Sequence, residues 1–475
     1  MKRIFSVILT ILVILPLVSC GGGEPLNTDG EAPAEPAPVT TSDGGEIALP
    51  DGFSVGFGRS DLPPTKLPIY TFQGKQGYRV AERLYVTSVA VSDGENVVLF
   101  VSVDSRGISN TMASIGRKRI ANTFHIPEEN VILTATHTHA GVDLARETDV
   151  AVSSWFSTFY SKHLPEAVEE SLRDLTPATM THGQSTVEAC YNRRYKMSDG
   201  TWLSNRYADE GTYAVGSESE VDNVMNLLYF ERAGKKPVAF LNFQCHPSTA
   251  SWETISSDWI DPLRKNVEEV YGALFSYYQG AAGVLMHKTI LPDALSLTET
   301  DAVGNHFSKA FDAAYQARVP AETGKLSVAS GSTVGRFMEV TAEEWAELAA
   351  YNAAPEEDKT EILSWFVANA RQKIKKYNAK GVMEVAIPHT AVSFGDVGIV
   401  TAGYELFHET GLYVKENSPF KITLTFGYTN ENLGYIPPKE SFPHGEYEVE
   451  SCIFVEGTAE ACGETMLELL KQVAK

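Results

Sequence analysis

The chain has 475 residues, a formal net charge of −22 and 43% apolar residues. So acidic a surface excludes nucleic acid and anionic bilayers as partners of the folded part, and the length is ample for a large core. Five cysteines occur, in no spacing that suits a structural zinc knot.

The first segment reads as an export leader. Lys2 and Arg3 precede the apolar run Ile4 to Val18, which is short for a membrane span and ordinary for a signal peptide. Leu17-Val18-Ser19-Cys20 matches the bacterial lipobox, whose cysteine is acylated. Residues 1–19 are therefore expected to be a lipoprotein signal peptide. Residues 20–46 are expected to be the acylated Cys20 and a flexible linker rich in Gly, Pro, Ala and acids. The implied location is extracytoplasmic, anchored to the membrane through Cys20. No later segment is apolar enough to span a bilayer, so residues 47–475 read as one catalytic domain.

That domain opens with strands expected at Phe53–Asp61, Leu84–Ser92 and Asn96–Val103. Helical spacing of Met112, Ile115, Ile120 and Phe124 predicts a helix over Ser109–Phe124. A strand over 131–136 follows, which makes a strand–helix–strand crossover. Ser153–Leu175 and Asp261–Phe275 are further helix candidates. Thr341–Lys380 is the longest helical region, divided at Pro355, with Trp345, Leu348, Ile362, Trp365 and Phe366 turned inward. Glu464–Val473 closes the chain as a helix. The fold class is α/β: a mixed β-sheet core flanked by helices in a single domain, with its site at strand carboxyl ends. Cys190 and Cys245 should be buried, and Cys452 and Cys462 could close a disulfide.

Three apolar, β-branched runs each end in a potential metal ligand. Val131 to Thr136 leads into His137-Thr138-His139, Pro237 to Phe243 into His246-Pro247, and Val397 to Thr401 into Glu405. Strand carboxyl ends line the ligand crevice of an open α/β sheet. Two imidazoles and a carboxylate at one edge suit zinc, with a position left for water. On an extended strand His137 and His139 would face the same side. Asp258 could orient one imidazole, and Asp104 points to the same crevice edge. Glu409 competes with Glu405, which is favoured as the ligand. Of the adjacent Arg193 and Arg194, alternation would aim only one inward.

With these segments in place, the chain resembles the catalytic domain of the neutral/alkaline ceramidases, from about Gly56 to about Glu450. The resemblance rests on Gly56-Phe57-Gly58-Arg59-Ser60-Asp61 with Pro63-Pro64, Leu84-Tyr85 with Val101 to Asp104, and Thr136 to Gly141. It continues through Asn192-Arg193, His246-Pro247 with Ser257-Asp258, Gly403 to Gly411, and Gly434-Tyr435-Ile436-Pro437. It implies zinc held by His137, His246, Glu405 and Tyr435, with Tyr428 a competitor for the phenol position. It places His139, Arg193 and Tyr447 around the substrate carbonyl. The family's C-terminal immunoglobulin-like domain is expected to have no counterpart. Gly280 falls where the family has its catalytic serine, and Val284 where it has an aspartate.

The expected function is a zinc-dependent hydrolase that cleaves an amide or ester bond of a lipid or small-molecule substrate. Zinc would acidify the attacking water, His139 and Tyr447 would stabilise the oxyanion, and Arg193 would clamp a polar or anionic substrate group. Two alternatives stand beside it: a hydrolase of a non-lipid amide, and an inactive ligand-binding lipoprotein on the same scaffold.

Overall fold

The computed structural model describes residues 38–474 apart from 64–66, 72–75, 145–156, 205–210 and 252. The leader, Cys20, the linker up to residue 37 and the start of the Ser153 helix lie outside the described residues. The folded unit begins before Ile47. Thr40 pairs with Glu46, its N–H donates to the Phe124 carbonyl at 3.1 Å, and Val39 packs on the core.

Two sheets stack face to face with helices on both outer sides. The first sheet is nine-stranded. In chain order its main strands are β1 (Ser54–Asp61), β2 (Tyr85–Ser92), β3 (Val97–Val103), β4 (Val131–Ala135), β5 (Thr176–Thr186), β6 (Val224–Arg232), β7 (Val238–Phe243) and β8 (Leu274–Gln279). Their hydrogen-bonded order is β8-β7-β6-β5-β1-β2-β3-β4. The second sheet has four strands, β9 (Leu326–Arg336), β10 (Glu384–Phe394), β11 (Val397–Thr401) and β12 (Ile422–Phe426), paired in that order. Phe57, Phe100, Phe240 and Tyr278 of the first sheet and Phe394, Ile399 and Phe426 of the second form the layer between them. Burial on both faces explains why these strands read as continuous apolar runs instead of alternating.

The outer faces are covered by α1 (Asn110–Phe124) with α2 (Leu164–Arg173), by α3 (Ile260–Tyr271) with α4 (Thr300–Gln316), and by α7 (Thr458–Val473). Gly56 and Gly58 show why the first motif has its form. A Cβ at these positions would lie 1.9 Å from the Ser171 carbonyl and 2.1 Å from that of Ala167. Helix α2 thus rests directly on the β1 backbone, and the motif serves the scaffold.

Three expectations shift. The helix α3 ends at Gly272, in a left-handed conformation (φ 63°), so Phe275 belongs to β8. The region after Thr341 forms α5 (Ala342–Ala353), two short turns and α6 (Trp365–Asn378). Ser364 caps α6, which leaves Ile362 and Trp365 exposed, while Ala368, Ala370 and Ile374 face inward. Cys452 and Cys462 are buried free thiols; Cys452 instead accepts from the Phe454 N–H at 3.3 Å.

The first sheet curls strongly. Ser102 of β3 donates to the Tyr277 carbonyl of β8 at 2.6 Å, although these strands stand near opposite ends of the order. That curl brings the ends of β4 and β7 together. The third ligand-bearing strand, β11, lies in the second sheet, so the site forms where two sheets converge and not along one edge. All three strands sit in parallel pairs: β4 with β3, β7 with β8, and β11 with β12. Among the described residues no helix is long and apolar enough to cross a membrane.

Candidate metal centre

The chain leaves β4 at Ala135 and bends at once. His137 takes φ 66°, a conformation uncommon outside glycine and often found at functional sites. This turn, not strand alternation, is what sets the two imidazoles together. The rings of His137 and His139 are 4.9 Å apart, and those of His137 and His246 are 4.8 Å apart. Tyr428 and Asn430, in the loop after β12, also have positive φ. Asn430 Oδ1 accepts from the Leu133 N–H at 2.9 Å, which docks the loop on β4 and stacks Tyr428 on His137 at 3.9 Å.

The backbone fixes the tautomers. His137 Nδ1 donates to the Arg106 carbonyl at 2.6 Å, and His246 Nδ1 donates to the Leu285 carbonyl at 3.2 Å. Each ring therefore presents Nε2 as a lone pair. Glu405 Oε2 lies 3.5 Å from the first and 3.6 Å from the second. Burial, opposed by Glu405, lowers the His137 pKa from 6.5 to about 3. Burial likewise holds His246 well below the ordinary value. Neither ring carries a proton at Nε2 to bridge the gap, and His246 Nε2 is buried with no hydrogen-bond partner.

Three acceptor atoms thus converge, and one of them, His246 Nε2, is buried without a partner, an arrangement suited to a cation. Donors about 2.0–2.1 Å from a tetrahedral ion stand about 3.3–3.4 Å apart, close to the separations here. His139 adds its own Nε2 at 3.3 Å from that of His137, and the ligand atoms of His137, His139 and His246 all lie within 4.8 Å of one another. The residues fit a metal ion. His139, expected only beside the carbonyl, is also in reach of it.

Both phenols approach. Tyr428 Oη is 3.5 Å from Glu405 Oε2, while Tyr435 bridges the Glu405 backbone and its Oη accepts from Arg193 Nη2 at 2.9 Å. The rings of Tyr435 and Tyr447 are 5.2 Å apart. Burial raises both, Tyr447 to about 12, so both are protonated at neutral pH while no ion is bound.

Arg193 and Arg194 are both buried, and of the two Arg193 contacts Tyr435. They meet at one carboxylate the sequence reading missed. Glu448 accepts from Arg193 Nε at 2.8 Å, from Arg194 Nη1 at 2.9 Å and from Ser204 Oγ at 2.8 Å. Burial would raise its pKa, but the two guanidiniums outweigh burial and hold it low. Arg194 is completed by Glu218 at 2.6 Å. Adjacent arginines need a buried acid, and that was the available clue.

Two expected supports are placed elsewhere. Asp258 accepts from Thr249, Ala250 and Trp259 and so shapes the loop after His246, whose ring partner is Leu285. Asp104 accepts from Arg264 Nη2 at 2.8 Å and the Tyr85 N–H at 3.0 Å, which leaves it no imidazole to orient. Glu409 pairs with Ser219 and His408, so Glu405 is the acid at the centre.

Comparison with known proteins agrees with this architecture. Residues 53–260 match the family model of the neutral/alkaline non-lysosomal ceramidase, N-terminal. Over these residues the chain is similar to the neutral/alkaline ceramidases. Neutral ceramidase from Pseudomonas aeruginosa has a similar structure, with a TM-score of 0.67, 17% identity, and 89% of this chain and 74% of that one covered. A ceramidase complexed with C2 is similar at the same TM-score and identity, covering 89% of this chain and 76% of that one. The likeness shows the fold, a ceramidase scaffold that puts three buried histidines in position to hold a metal ion.

Proposed function

We propose that this chain is an exported, lipid-anchored, zinc-dependent hydrolase of an amide or ester bond. The observation that carries the reading is the meeting of His137 Nε2, His246 Nε2 and Glu405 Oε2 at 3.5–3.6 Å from the carboxylate, with His246 Nε2 buried and without a hydrogen-bond partner. Imidazole and carboxylate donors suit zinc, with Tyr435 as the fourth protein ligand. Zinc held there would polarise a substrate carbonyl and lower the pKa of water. His139 is kept neutral by burial and can exchange a proton at Nε2. Tyr447, protonated and beside Tyr435, can donate to a developing oxyanion. Arg193 is partly occupied: Nε serves Glu448, and Nη2 serves Tyr435 and the Gly283 carbonyl. It holds the Tyr435 oxygen in place, while Nη1, which meets only the Met286 sulfur at 3.8 Å, is left to clamp a polar substrate group.

One observation favours a substrate other than ceramide. A Cβ at Gly280 would meet Gln244 Oε1 at 2.7 Å, and the Gln244 amide is tied to the Asp222 and Val224 carbonyls. A hydroxymethyl group has no room there without shifting that amide. The zinc-loaded protein should be assayed on N-acyl sphingosines, aliphatic esters and small N-acyl amides. Zinc-dependent cleavage of any class supports a hydrolase. Inertness toward all of them, with zinc bound, refutes it.

A further inference from the structure

Helix α6 brings to this site a cation that the ligand set does not use. Phe366 packs on the Tyr447 ring at 4.3 Å. Lys373 follows seven residues later, two turns along the same face. A Cβ built on Gly434 would lie 3.9 Å from Lys373 Nζ. The Gly434 carbonyl accepts from the Glu405 N–H at 2.9 Å, so the ammonium stands beside the backbone that carries Glu405 and Tyr435. Ala370 and Ile374, buried in the core, fix the rotation of α6.

Lys373 remains open to solvent, and among the described residues no hydrogen bond or ion pair engages its ammonium. The surrounding protein still removes enough water to lower its pKa, with Arg106 adding to the effect and Glu405 opposing it. The nearby acids are committed: Glu448 to two arginines, and Glu405 to the ligand set. With a divalent ion in place, this corner is positive within a chain of net charge −22.

We propose that Lys373 forms an anion subsite that binds an acidic group (carboxylate, phosphate or sulfonate) carried by the substrate within a few bonds of the scissile carbonyl. This rests on the hydrolase reading and narrows its substrate class to acidic N-acyl or O-acyl compounds.

The test compares N-lauroylglycine with N-lauroylethanolamine, which differ in a carboxylate against a hydroxyl. The wild type should prefer the acid. Lys373→Met should lower kcat/KM on the acid about 10- to 100-fold, chiefly through KM, as expected for a lost hydrogen bond to a charged group. It should leave the neutral amide within about twofold, and Lys373→Arg should restore much of the preference. Equal cleavage of both amides by the wild type, or an equal effect of Lys373→Met on both, overturns the subsite and leaves the hydrolase reading intact. If neither amide is cleaved, calorimetric binding of N-lauroylglycine decides. Tighter binding than the neutral amide, lost in Lys373→Met, supports the subsite; equal binding by wild type and variant overturns it.

Discussion

Two halves of the same buried cluster, joined through the contact between Arg193 and Tyr435, solve opposite electrostatic problems. In one, Arg193, Arg194, Glu448, Glu218 and Ser204 saturate each other, with separations of 2.6–2.9 Å between charged partners. In the other, Glu405 Oε2 faces the acceptor nitrogens of His137 and His246 at 3.5 and 3.6 Å. The first half is complete as the chain folds. The second is arranged so that it could hold a metal ion, and the contrast locates that position without reference to any relative.

Substitutions should separate the halves. The largest effect is expected from His246→Ala, which should remove bound metal and lower activity by at least about 10³-fold, since a polarising ion supplies several kcal/mol to such a reaction. Elemental analysis and turnover on the same sample check it. Next, Glu448→Ala should destabilise the fold by about 3–5 kcal/mol, because two buried guanidiniums lose their shared counter-charge. Urea denaturation of the metal-free protein measures it, and a loss below about 1 kcal/mol would mean that the balanced half is not balanced by Glu448.

Much of this was legible beforehand. The three apolar runs and their terminal ligands follow from β-branching and length, and the strands fell within a residue or two of the expected bounds. What periodicity could not show was which sheet each run joins, because a strand buried on both faces has no alternation to mark its partners. Hence β11 was placed on the wrong sheet. Contacts that depend on backbone carbonyls were also hidden: Arg106 and Leu285 orient the imidazoles through C=O groups that any residue type would supply. Acidic Asp258 and Asp104 were the natural guesses, and both are spent elsewhere. Glu448 and Lys373 carry no motif of their own: one follows Tyr447, and the other stands among the charges of α6.

Smaller effects sharpen the contrast. Chelation should destabilise the wild type by about 2.7 kcal/mol when zinc had been present at about 100 times its Kd, but should leave His246→Ala unchanged; thermal scans with and without chelator compare them. Acid should act on the metal-free protein through the histidines. The folded pKa of His137 is about 3 against 6.5 in the unfolded chain, so the unfolded state binds the extra proton between these values. That contribution is complete above about pH 6.5 and is lost as the pH falls toward about 3. His137→Gln should flatten the acid limb of a stability-against-pH curve, whereas Glu448→Gln should not remove the His137 contribution.

The central claim is that His137, His246 and Glu405 share one cation. Native mass spectrometry of the protein, purified without chelator and reloaded with zinc, tests it most directly. The account predicts one zinc per chain in the wild type and none in Glu405→Gln or His246→Ala, with folded charge-state distributions in all three. A folded wild type that takes up no zinc, or variants that retain it, would contradict the account.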